Sequence, residues 1–103
     1  MTGRWTYRVS AAGVLVLAAE LAALGRATPG HRNHTLNRCA FKVYRYVAGG
    51  LLDDEEVTAA FTQTALAIGL SSTETARTLA SARIAGLANP RGLPAHLTTE
   101  ATL

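Results

Sequence analysis

Apolar positions recur along this chain at intervals of three and four, in four blocks separated by Gly, Pro, Asn and Ser. That period gathers side chains on one face of a 3.6-residue helix. In the first block Val14, Leu17, Leu21 and Leu24 form the inward stripe and predict a helix from about Ser10 to Ala27. Thr28-Pro29-Gly30 is the turn that follows. Asn33 reads as the N-cap of a second helix, its side-chain oxygen accepting from unpaired first-turn amides. Leu36, Ala40, Val43 and Val47 give that helix one apolar face to about Ala48, and Gly49-Gly50 ends it. A third helix starts near Asp53, where Asp53, Asp54, Glu55 and Glu56 face the positive end of the helix dipole. It runs through Val57, Ala60, Phe61, Ala65 and Ile68, and Gly69 closes it. Ser71-Ser72-Thr73-Glu74 has the arrangement of a capping box. A fourth helix follows from about Ser72 to Ala88, and Asn89-Pro90 stops it.

Four amphipathic segments joined by short turns predict an all-α fold, a compact bundle of about four helices. Residues 1–9, with Arg4, Trp5, Tyr7 and Arg8, read as a short N-terminal arm. Residues 10–91 form the helical-bundle domain, and 92–103 lack the apolar periodicity to pack and read as a flexible tail.

Composition agrees with that architecture. A chain of 103 residues is one domain near the lower end of independent stability. Hydrophobic residues make up 49% and aromatics only 6%, a balance suited to closely packed helices. The formal charge is +3, and of ten Lys+Arg only Lys42 is a lysine, so the cations are almost all guanidinium groups, which fork onto phosphate. Cys39 stands alone and cannot form an intrachain disulfide, for which a reducing cytoplasm is the simplest setting. Arg4 and Arg8 ahead of the apolar run Ala11 to Ala19 have the layout of a short signal peptide. Against that, Glu20 interrupts the run, which falls far short of the roughly 20 residues that span a bilayer. A buried first helix is the favoured reading, and an exported or membrane-associated protein the alternative.

The residues do not form a recognisable catalytic set. Phosphoryl transfer to a growing strand needs carboxylates spaced to hold two metal ions, and the cluster Asp53 to Glu56 lies at a helix start that already accounts for it. The P-loop pattern is missing. His31, His34 and Cys39 lack a fourth ligand nearby and match no common zinc-finger spacing, while His96 is remote. Neither a metal nor a cofactor is expected, and Cys39 reads as a small buried or half-buried thiol. The stronger candidate is basic. Arg38, Lys42 and Arg45 recur on the side of helix two opposite its apolar face, with Arg32 just ahead, in position to meet successive phosphates. Tyr46 or Tyr44 would stack on an unpaired base. Asn37 pairs either with a neighbouring loop or with a nucleotide.

The same stretch carries a resemblance. Its order is a Pro29-Gly30 turn, Arg32-Asn33, Leu36-Asn37-Arg38-Cys39-Ala40-Phe41, then Gly49-Gly50-Leu51-Leu52 and an acidic run. This resembles the small helical domain that follows the catalytic domain in primase-polymerases of actinobacterial phages, plasmids and integrated elements. Glu20-Leu21-Ala22 upstream, and Ala59-Ala60-Phe61, Ala65 to Leu70, Glu74, Thr78-Leu79, Ser81, Ala85-Gly86-Leu87 and Pro90-Arg91 downstream, extend the match, which covers roughly Val14 to Arg91. The resemblance implies a helical domain without a catalytic site of its own that binds DNA, single-stranded or template-primer, and nucleotide, alongside replication proteins. The residues of this chain read as meeting nucleic acid are Arg32, Asn33, Asn37, Arg38, Lys42, Arg45 and Tyr46, a reading the resemblance strengthens. Two features depart from the family pattern: Ala80 stands where a basic residue is usual, and Arg83-Ile84 exchange an apolar-then-basic pair. The alternative is a protein-interaction module, a homo-oligomer included, that mates through Ala59 and Leu66 on helix three while the arginines solvate the rest.

Overall fold

Four helices form where the apolar period predicts them: α1 Thr2–Gly25, α2 Arg32–Ala48, α3 Asp54–Ala67 and α4 Ser72–Leu87. The computed structural model describes the backbone of residues 2–92 and the side chains of 11–92. The tail expected over 92–103 therefore lies, beyond Gly92, outside the described residues, as do the side chains of Arg4, Trp5, Tyr7 and Arg8. The fold is all-α.

The helix ends follow from particular residues. At the end of α2, Gly50 takes φ +82, and the amides of Gly50 and Leu51 bond back to the carbonyls of Val47 and Tyr46 at 2.9 and 3.1 Å. That pair of bonds is a Schellman closure, and Leu51 packs on Tyr46 as such closures favour. Gly69 does the same after α3 at φ +105. The Asp53 side chain accepts from the Glu56 amide at 3.0 Å and caps α3, and the Ser71 hydroxyl accepts from the Glu74 amide at 3.1 Å and caps α4. Among the described residues the reciprocal bond from the Glu74 carboxylate to Ser71 is not made, so only half of the expected capping box is present.

Three expectations need correction. The first helix begins at Thr2, so the backbone of the expected arm continues α1. No proline stands in residues 2–10, so nothing in that stretch obliges the helix to start later. Val14 is 49% exposed; Gly13 takes the inward place, where α1 lies so close to the α2–α3 loop that a Cβ would stand 2.6 Å from the Leu51 carbonyl oxygen. The N-cap position of α2 belongs to His31 rather than Asn33. The turn through Gly30 at φ +92, closed by the His31 amide on Thr28, starts the helix earlier than the apolar period suggests.

The core gathers Leu24, Leu36, Val43, Tyr44, Val57, Phe61 and Leu79 around α2 and α3, each of which touches all three other helices. Among the described residues α1 and α4 do not meet. The tightest approach joins α2 to α4. A Cβ on Gly86 would lie 2.6 Å from the Tyr44 Cβ and 2.9 Å from the Phe41 carbonyl oxygen. Gly86→Ala should therefore lower stability by about 1 to 3 kcal/mol through overpacking, although alanine is the better helix former. Gly25, with no atom within 4 Å of its would-be Cβ, is the control. Urea denaturation of the two variants tests the contrast, with Gly25→Ala unfolding at or above the parent midpoint.

Candidate nucleic-acid interface

The seven residues assigned to nucleic acid do not form one surface. Helix α2 is flanked by neighbours on both sides, so it buries a wider arc than its apolar stripe: Thr35, Cys39, Tyr44 and Tyr46 lie inside together with Leu36, Ala40 and Val43. Tyr44 is 0% exposed and shares a hydrogen bond with the Thr58 hydroxyl at 2.5 Å. Tyr46 is 9% exposed, with the Arg91 guanidinium 5.7 Å from its ring centre. Neither ring is presented for a base to stack upon, which corrects the assignment of Tyr46 and its alternative Tyr44.

Arg45 also has a structural occupation. Its Nε donates to the Asn89 carbonyl at 2.8 Å, its own carbonyl accepts from the Arg91 amide at 3.0 Å, and its guanidinium lies 5.8 Å from the Phe41 ring centre. These contacts clasp the chain that leaves α4 onto the end of α2, with the Arg91 carbonyl seated against Gly49. Lys42 is exposed but lies 3.8 Å from the Glu20 carboxylate of α1. Of the C-terminal part of the basic stripe, Arg45 is thus taken up by the fold, while Lys42 stays exposed beside an acid.

The remaining candidates lie at the other end of α2. Asn33 and Asn37, one turn apart, are exposed and face α4, where Arg77, Thr78 and Ser81 repeat the same spacing. The Thr78 hydroxyl donates to the Asn33 carboxamide oxygen. With His34 these residues line a groove of about 380 Å³ whose lining, among the described residues, includes no carboxylate and no apolar side chain. Arg38 is exposed on the same helix. Arg32 is half-buried and runs back along the α3–α4 turn, its Nη1 beside Gly69; its Nε is buried and without a partner among the described residues. It lines a second hollow of about 220 Å³ with Asn33, Leu70 and Glu74. Because Asn33 meets Thr78 while Arg45 meets Asn89, α2 and α4 run parallel, and both helix N-termini lie at the groove end.

Reading the stripe on α2 alone missed Arg77, Thr78 and Ser81, and weighed His34 only as a metal ligand. The one available signal was the polar i, i+4 repeat shared by Asn33/Asn37 and Arg77/Ser81, which reports a groove only once the two helices are known to be parallel.

The acidic cluster is taken up by helix ends and by one ion pair. Arg83 donates to the Asp54 carboxylate through Nε at 2.9 Å and Nη2 at 2.5 Å, joining α4 to α3. Among the described residues no three His, Cys, Asp or Glu side chains are placed to hold a metal ion. Cys39 is fully buried; burial pushes its thiol up, and the Glu20 carboxylate beside it adds to that. Among the described residues no helix is long and apolar enough to cross a membrane. No protein-family model, curated protein or solved structure matches this chain significantly.

The Arg83 hydrogen bonds, chief among its causes, hold the Asp54 carboxyl below its ordinary value. The unfolded chain then binds more protons than the folded one between the two values, so stability rises with pH there. This contribution is fully present above the usual carboxylate range near about 3.9 and is lost as pH falls through the depressed folded value. In acid titrations of folding stability, Asp54→Asn should flatten the profile below about pH 4, whereas an unchanged profile would show that the pair has no linkage to folding.

Proposed function

We propose that this chain is a non-enzymatic, cytoplasmic DNA-binding domain that accompanies phage or mobile-element replication machinery of the primase-polymerase type. It holds nucleic acid in the groove between α2 and α4. The observation that carries this reading is the groove lining at the N-terminal end of α2, six polar side chains, Asn33, His34, Asn37, Arg77, Thr78 and Ser81, with no acid among the described residues that line it. Backbone amides and dipole ends at helix starts favour phosphate, and Asn, Ser and Arg side chains donate to its oxygens. The order of residues shared with the primase-polymerase helical domain points to the same chemistry.

One observation favours a protein-interaction module instead. On α1, Leu15 is 71% and Val14 49% exposed, and Ala11, Ala18 and Ala22 continue that face without a charge. It is a larger uncovered apolar surface than the pair Ala59 and Leu66 on α3.

Salt separates the two. Phosphate contacts release counterions, so the affinity for DNA falls with the logarithm of salt, by about 0.7 per contact on a single strand and about 0.9 on a duplex. Replacing Arg38 and Arg77 together by Gln should lower the magnitude of that slope by about 1.4 to 1.8, with helical content unchanged because both side chains are exposed. Lys42→Gln should change it little. A double variant with the parent's affinity and slope would remove the groove as the binding surface and leave the α1 face as the better reading.

A further inference from the structure

Every aromatic ring whose surroundings the structure describes is engaged inside the fold. Tyr44 and Phe61 are 0% exposed, Tyr46 lies under Arg91, and Phe41 is half-buried against Arg45. Proteins that hold unpaired strands combine a cationic track with exposed rings on which successive bases stack. Among the described residues the lining of the α2–α4 groove holds one guanidinium with carboxamide and hydroxyl donors on two parallel helices, and its one ring is the imidazole of His34.

We infer that the groove grips the sugar-phosphate backbone of a nucleic-acid duplex, independently of sequence, and that unpaired bases add nothing to its affinity. This rests on the nucleic-acid reading above and narrows it. A surface that senses only phosphate favours the form with the highest charge density, and a duplex carries one charge per about 1.7 Å of its axis. Short side chains such as Asn33, Asn37 and Ser81 reach phosphate oxygens at the surface of the double helix. Arg77 supplies the cation of the groove lining, and Arg38 is exposed outside it, near Cys39 and Glu20 of α1.

The test is fluorescence anisotropy of the full chain, across a salt series, with three probes of equal length: a duplex, one of its strands unpaired, and an abasic strand of the same phosphate count. The duplex should bind about fivefold or more tightly than the unpaired strand, and the abasic strand within about twofold of the natural one, as expected for contacts to phosphate alone. Arg38→Gln with Arg77→Gln should weaken all three. A natural strand that binds as well as the duplex, or several-fold better than the abasic strand, overturns the inference; if the double variant still weakens binding, the groove reading survives it. Failure of all three probes to bind overturns both.

Discussion

The close crossing of α2 and α4 at Gly86 is the constraint on which the rest of the structure depends. With a hydrogen in place of a side chain, the backbone of α4 approaches the Tyr44 Cβ and the Phe41 carbonyl to within a distance that any Cβ would forbid. Tyr44 is thereby sealed into the core, where burial pushes its phenol up and the Thr58 hydroxyl partners it. The segment after α4 is brought within reach of Arg45, which bonds to Asn89 and accepts from Arg91. At the opposite end of the same helix pair, Thr78 meets Asn33, and the side chains beside them line the groove. One contact thus sets both the clasp and the groove.

Much of the fold is legible in the sequence because its causes are local. Asp53 and Ser71 cap the helices they precede, Gly50 and Gly69 close those they follow, and Leu36, Ala40 and Val43 point inward as their spacing requires. Each of these depends on neighbours within a few residues. The start of α1 was not legible because Thr2 to Ser10 carries neither a proline nor an apolar stripe that would mark where the helix begins.

The site was legible only in part, for a tertiary reason. A 3.6-residue period reports one buried face, and it cannot report that α2 is flanked on both sides. Tyr46 and Arg45 therefore looked available on a helical wheel, yet one is interior and the other clasps the chain. Asn33 and Asn37 were singled out for their chemistry, and they face the groove. Their partners Arg77, Thr78 and Ser81 lie about forty-four residues further on, and only the parallel packing of α2 and α4 joins them.

The central claim, that nucleic acid is held between α2 and α4, is tested most directly by nuclear magnetic resonance with a short duplex titrated into labelled protein. The account predicts amide shift changes that cluster at Asn33, His34, Asn37, Arg38, Arg77, Thr78 and Ser81. Little change is expected at Lys42 through Tyr46, whose side chains serve the fold. Changes concentrated on that C-terminal half of α2, or on Val14 and Leu15 of α1, would contradict it.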